Sequence, residues 1–313
     1  MKFKGLSSNT RLHSYVSPYP NPPTPGLALR SGAGKIVGVS PVEGEEHTPA
    51  PLSRGDFQSR FKGLRFHGLL SALCAMLFAL FLVTDASAAH PLITDDTGTQ
   101  GTGKFELEVN VEYSNDNGDS TTQFAASLSS GIRENIDLVI GAPYQSLRTR
   151  NDAGGWTTED GISDILVELK WRFYEKDGLG FALKPGIILP TGYEDKGLGD
   201  GKPAYSLFFV TTREIDPLIL HFNLGYIKNR RELRDIWHYS LAGEYEVTKP
   251  LTIVANIGGE TNPDRESNVN PLFLLGGLIY SIAENFDVDF GIKTGLNKAE
   301  ADYTLLAGII LRF

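Results

Sequence analysis

From Phe105 the chain alternates apolar and polar residues. Phe105, Leu107, Val109, Val111 and Tyr113 take one face, with Glu106, Glu108, Asn110 and Glu112 on the other. A period of two places successive side chains on opposite faces of a strand and cannot sit as a helix. The final residues repeat the pattern, with Tyr303, Leu305, Ala307, Ile309, Leu311 and Phe313 in phase and Thr304, Gly308 and Arg312 opposite. Ten further segments predict strands near 122–133, 136–146, 163–174, 180–190, 204–213, 218–228, 236–247, 251–261, 271–281 and 286–296. Segments 204–213 and 271–281 are apolar on both faces, so the pattern leaves their orientation open.

The connections predict the architecture. Short turns fall at 133–135, 175–178, 214–217, 248–250 and 283–285, and longer polar loops near 115–121, 147–162, 191–203, 229–235, 262–270 and 297–302. Five short and six long connections in strict alternation are what twelve strands need when both termini lie at one end of a membrane barrel. A soluble β-sandwich would also alternate, but its strands run nearer 5–6 residues and its loops need not alternate in length. Tyr113, Tyr144, Trp171, Phe173, Tyr226, Trp237, Tyr239, Tyr245, Tyr280, Tyr303 and Phe313 all fall near strand ends on the apolar face, as interfacial girdles require. The expected fold is all-β: a transmembrane antiparallel up-and-down β-barrel of about 12 strands.

The region before it reads differently. Residues 1–60 carry clustered prolines (Pro18, Pro20, Pro22, Pro23, Pro25) and no sustained periodicity, which predicts disorder. They are either a flexible extension or the product of a start codon placed too far upstream, and the second reading is preferred because a signal peptide follows. Residues 61–89 supply it: Lys62 and Arg65, an apolar run from Leu69 to Val83, and the small-x-small site Ala86-Ser87-Ala88. That run is too short for a membrane helix and meets Asp85 directly. The expected mature chain is 90–313, starting at Ala89 or His90, exported to the outer membrane of a Gram-negative bacterium.

Composition narrows the chemistry. The one cysteine, Cys74, lies in the signal, which excludes disulfides and thiolate sites from the mature part. Residues 1–89 carry a net +4 (nine Lys+Arg, five Asp+Glu), so the total of −9 leaves −13 for residues 90–313. Nucleic acid is therefore a poor partner. No apolar stretch after the signal is long enough for a helix span, so a membrane location demands a closed barrel.

The same alternation nominates lumen-lining residues: Glu106, Glu108, Glu168, Lys170, Arg172, Lys184, His221, His238, Glu244, Asp289, Lys293 and Arg312, with Glu112, Asp137, Asn223, Ser240, Glu246, Asn256, Glu260 and Asp287. Walls of both signs suit a channel that selects by field, or equally a ladder of ion pairs that supports the barrel. A polar, partly hydrated lumen with a narrow pore is expected. Thr94, Asp95, Asp96 and Thr97 precede the first strand, and either fold into the barrel mouth as a plug or cation site, or cap its inner end as a solvated turn. Acidic loop residues Glu194, Asp195 and Asp200 are candidates for divalent ions alongside lipopolysaccharide. Enzyme chemistry finds little support: His238 and Ser240 share a face, but at i, i+2 they stand about 7 Å apart along a strand. There is no Gly-x-Ser-x-Gly motif, and neither a cofactor nor a metal site is expected.

One short motif goes further. His90-Pro91-Leu92-Ile93-Thr94-Asp95-Asp96-Thr97-Gly98-Thr99, then Gly101, Gly103 and a strand carrying Glu106 and Glu108, resembles the opening of the outer-membrane family named for the meta-pathway of phenol degradation, whose members are often labelled transporters. His90 stands where Arg is common there, and Ile93 where Val is common. The resemblance implies a barrel of about this size and uptake of small aromatic or apolar compounds. The expected function is an outer-membrane channel for passive uptake of small solutes, the alternative being a structural or adhesive barrel with a filled lumen. Expected partners are outer-membrane lipid, lipopolysaccharide, and the barrel-assembly machinery through the strand ending at Phe313.

Overall fold

The computed structural model describes residues 90–151, 153–228 and 234–313. The expected extension (1–60) and signal peptide (61–89) lie outside the described residues. Thirteen strands follow in order: β1 Phe105–Asp116, β2 Asp119–Arg133, β3 Ile136–Arg150, β4 Trp156–Ile162, β5 Ile165–Lys176, β6 Leu179–Leu189, β7 Ala204–Ile215, β8 Leu218–Lys228, β9 Ile236–Thr248, β10 Leu251–Glu260, β11 Leu272–Ala283, β12 Phe286–Gly295 and β13 Tyr303–Arg312.

All but β4 form one closed antiparallel ring. Neighbours in sequence pair in turn, β3 pairs β5, and the seam is β1 on β13, running from Glu106 opposite Arg312 to Asn115 opposite Tyr303. Closure matters because lipid offers no partner for an unpaired backbone N–H or C=O. β4 pairs only with the far half of β3, Tyr144 to Arg150, so this hairpin stands beyond the ring.

Five connections at one end are two residues long: Glu134-Asn135, Asp177-Gly178, Asp216-Pro217, Lys249-Pro250 and Glu284-Asn285. This is the inner end, where β1 starts and β13 finishes. At Asp177-Gly178 both φ angles are positive (51° and 71°), the primed turn whose twist matches that of its strands.

The outer end corrects two expected loops. Residues 115–121 are not a long loop: β1 and β2 continue to the two-residue turn Asn117-Gly118, with φ of 50° and 94°. Asn-Gly is the strongest turn pair for such a hairpin. Residues 147–162 are largely the β3–β4 hairpin, with Arg148 stacked 4.6 Å over Trp156. Both stretches are polar because their strands outrun the lipid into water, so polarity marks the membrane boundary there rather than the end of the strand.

The outward face is apolar and exposed: Val109, Ile140, Leu207, Leu224, Leu241, Ile257, Leu274, Phe290 and Ile309 among others. On a soluble protein that band would be an aggregation surface; here it meets lipid. Aromatic rings border it at both ends. Tyr113 with Tyr303 and Tyr226 with Trp237 stand at the outer end, while Phe105 with Phe313 and the series Trp171, Phe173, Phe181, Phe209 stand at the inner end. Ile309 lies mid-strand opposite Val109 and Val288. Ile309→Arg is expected to cost about 2–4 kcal/mol of barrel stability, read as a lowered urea midpoint for refolding into vesicles. An unchanged midpoint would place that face away from lipid.

The orientation of the two strands left open by the pattern is now defined. On β7, Ser206, Phe208, Val210 and Thr212 are buried inside; on β11, Phe273 and Leu275 are. These side chains add apolar surface to the polar, partly hydrated lumen that the pattern predicts. Leu166, Ala182, Ile188, Ala204, Phe208, Val210, Ile227 and Ile236 form one apolar cluster. A second forms around Phe273 and Leu275.

Candidate functional site: the occluded lumen

The segment before β1 enters this lumen. At the inner rim Gly101 and Gly103 (φ 80° and 77°) turn the chain, and Gly103 N–H donates to the Gly131 carbonyl at 2.9 Å. A side chain at Gly131 would collide with the Gly101 backbone at 1.7 Å, so the wall is cut away where the segment passes. Read back toward the N-terminus, Gln100 N–H donates to Asp137 Oδ2 (2.9 Å), and Thr97 N–H to Thr212 Oγ1 (3.0 Å). Asn256 then grips the chain from both sides. Its Oδ1 accepts from Ile93 N–H (2.8 Å) and Thr94 N–H (3.1 Å), and its Nδ2 donates to Thr94 Oγ1 (2.7 Å). Asn223, with its amide nitrogen turned toward the Asp95 carbonyl (2.9 Å), accepts from Asp95 N–H at 2.7 Å. The plug is thus bound through its backbone, which in an extended segment inside a barrel has no ladder of its own to complete.

The acidic pair of the opening motif carries the charge of this contact. Lys170 Nζ lies 3.0 Å from Asp95 and 2.9 Å from Asp96; Lys184 contacts Asp95 and lies 3.1 Å from Glu168. Of the two readings for Thr94–Thr97, the structure therefore has the plug, not a solvated turn.

Leu92 and Ile93 bury their side chains against Ala242, Val254, Phe273, Leu275 and Leu306. At about 1.5–3 kcal/mol for each large side chain buried, this apolar anchor rivals the ionic one. Pro91 rests on the small surfaces of Gly277 and Gly291, where a Cβ would approach its ring to 2.7 Å. His90 is 2 % exposed, with Nδ1 2.5 Å from Asp289 and Nε2 3.9 Å from Glu112. Asp289 faces Gly308 in the ladder and Glu112 faces Leu306, so the segment climbs from the inner rim to the middle of the barrel.

The remaining nominated residues also fall into pairs. Arg312 bridges Glu106 (2.9 Å) and Asp287 (2.6 Å), Lys293 meets Glu300 (2.8 Å), and His221 lies between Thr212 (2.9 Å) and Glu244 (3.0 Å). Arg172 is at the inner rim, 3.1 Å from Glu175. Glu108 is half-buried and accepts from Asn110, while Glu246 is exposed. Glu194 and Asp195 open a short 3-10 turn, and Asp200 N–H donates to Asp164 at 3.0 Å.

What the plug leaves open is a narrow space of about 150 Å³. Glu106, Glu108 and Asn110 line one side of it; Ala125, Ser127, Val139, Gly141 and Leu166 line another. Charge and small, weakly polar surface thus share one cavity.

One expected separation is wrong. His238 Nε2 lies 3.1 Å from Ser240 Oγ, although the two are i, i+2 on β9, and His238 Nδ1 is 3.7 Å from Glu260. The side chains lean together by several ångström, which the backbone spacing does not convey. The β9 backbone N–H groups around Ser240 are spent on the pairings with β8 and β10 and are not free to serve an oxyanion. Among the described residues no group of three or more His, Asp or Glu is placed to hold a metal ion.

Thr212 and Gln100 were not nominated from the sequence. Thr212 lies on β7, whose two apolar faces concealed it, and Gln100 contributes only its backbone.

A family model described as "Putative MetA-pathway of phenol degradation" matches residues 91–313. No curated protein matches the chain. Among solved structures, it is similar to the COG4313 outer membrane channel from Pseudomonas putida F1, at 13 % identity and a TM-score of 0.57, over 70 % of this chain and 98 % of that one. It is also similar to the NanC porin (10 %, TM-score 0.49, 66 % and 98 %) and to the KdgM porin (10 %, 0.46, 66 % and 99 %). The first likeness shows the fold: a closed antiparallel β-barrel.

Proposed function

The chain belongs to the family described by that phenol-degradation model, and from this premise we propose that it is an outer-membrane channel for passive uptake of small aromatic or apolar compounds. The observation that carries the reading is the composition of the lumen. Two apolar clusters reach the interior of a barrel whose other inward side chains are mostly charged or polar, and the free space touches Leu166, Phe208 and Val210. Such a wall favours an apolar solute, which gains by leaving water for it. Segment 90–104 is the gate, and passage requires it to move.

The same reading has the chain exported on the signal at 61–89, cleaved before Ala89 or His90, and recognised by the assembly machinery through the strand ending at Phe313. Lipopolysaccharide surrounds the outer loops, Glu194, Asp195 and Asp200 included. The lumen-lining residues act as structural pairs first and as solute contacts second, and no catalytic step is assigned to His238 or Ser240.

A filled lumen is also what a structural or adhesive barrel would need, and uptake separates the two. Intact cells exclude N-phenylnaphthylamine, an apolar fluorescent aromatic, at their lipopolysaccharide face. Cells expressing the protein are expected to accumulate it several-fold faster than cells with an empty vector, and cells expressing the Ser240→Ala barrel should match the wild type. Uptake no faster than in cells with an empty vector would support the structural barrel.

A further inference from the structure

Among the described residues the lysines and arginines inside the barrel are matched with acids: Lys170 with Asp95 and Asp96, Lys184 with Asp95 and Glu168, Lys293 with Glu300, Arg312 with Glu106 and Asp287. Around His90 the count fails. Glu112 is 1 % exposed, and neither of its carboxylate oxygens has a hydrogen-bond partner. Asp289 meets His90 through Oδ1, and its Oδ2 is equally without one. Glu108, on the same face of β1 and accepting from Asn110, lines the cavity beside His90. The nearby cations are the His90 ring, whose Nε2 is itself unpartnered, and Lys293, which Glu300 already holds at 2.8 Å. Burying a carboxylate with no hydrogen bond or cation is strongly unfavourable. A site this acidic, this enclosed and this incomplete is built for a cation, and it is not arranged for a metal ion.

We propose that the missing cation is the α-ammonium of the processed chain, bound by Glu112 and Asp289. Cleavage adds water across the peptide bond before Ala89 or His90: the leaving segment keeps the new carboxylate, and the mature chain keeps the amine, protonated at neutral pH. That charge arises within one residue of the His90 ring, which already sits against both acids. In the precursor the same nitrogen is a neutral amide joined to the carbonyl of the leader that precedes it. Processing therefore creates the ligand that seats the plug, and an unprocessed chain has none. The inference rests on the export reading above, and its test separates the two.

The mass of the N-terminal peptide is measured first on protein extracted from membranes; a start other than Ala89 or His90 overturns both. The folded protein in detergent is then treated with sulfo-N-hydroxysuccinimide acetate, and acetylation at the α-amine is followed by mass spectrometry. It is expected to run more than about tenfold slower than in the urea-unfolded chain. The Glu112→Gln/Asp289→Asn variant, checked for folding by heat-modifiable migration, is expected to react near the unfolded rate. If that variant does not fold, its place is taken by unfolded wild-type chain acetylated at about pH 6.5, where the α-amine is far less protonated than the lysines, with the lysines shown intact by mass, and then refolded. It is expected to give a barrel with several-fold higher conductance than the free-amine chain. An α-amine that reacts as fast in the folded wild type as in urea, from a correct start, overturns this proposal and leaves the export reading standing.

Discussion

Deletion of residues 90–100 is expected to raise the single-channel conductance several-fold, and the barrel should still form. The ring does not use the deleted segment: β1 begins at Phe105, and the seam with β13 runs between Glu106 and Asn115. What the deletion removes is the body that fills the lumen, from His90 at mid-height to Gln100 near the rim. It also leaves Lys170 without Asp95 and Asp96, and exposes Phe273, Leu275 and Leu306 to water. Stability should therefore fall while heat-modifiable migration persists. Planar-bilayer recording of the two proteins checks this, and equal conductance would mean that the plug does not limit the pore.

Asp95→Ala is expected to give the largest single loss of stability. Its carboxylate lies between two buried lysines, and breaking a buried pair by removing one member costs roughly 3–5 kcal/mol because the other charge stays buried. The loss should fall toward the lower figure, since Lys170 keeps Asp96 and Lys184 keeps Glu168. Replacing all three together (Asp95→Leu, Lys170→Met, Lys184→Met) is expected to recover most of it, because no ion is then stranded. Urea titration of the gel-shift transition measures both. A single variant as stable as wild type would show that the clamp is solvated and contributes little.

The barrel was legible because lipid enforces period two over long strands, and because inner turns are short. Boundaries at the outer end were not legible: polar residues at 115–121 and 147–162 mark the lipid surface, while the hydrogen-bonded ladder continues past it into water. The plug was only half legible. Thr94-Asp95-Asp96-Thr97 carries groups that suit a solvated turn as well as a buried clamp, and what decides between them is distant in sequence: Lys170 and Lys184 on β5 and β6, Asn256 on β10, and glycines 277, 291 and 131 that leave room. Leu92 and Ile93 have no periodicity to announce that they are buried. The contact between His238 and Ser240 was missed for a different reason, since backbone spacing bounds Cα separation but not how far two side chains lean.

The central claim, that the opening segment is packed inside the barrel, is tested most directly by the reactivity of a thiol placed in it. Cys74 precedes residue 90, so in a chain that starts at Ala89 or His90 the Ile93→Cys variant carries a single cysteine. In the folded protein this thiol is expected to resist a bulky maleimide for far longer than in urea, and Asp95→Ala in the same chain should speed its labelling. Labelling of the folded Ile93→Cys protein at the unfolded rate would contradict the account.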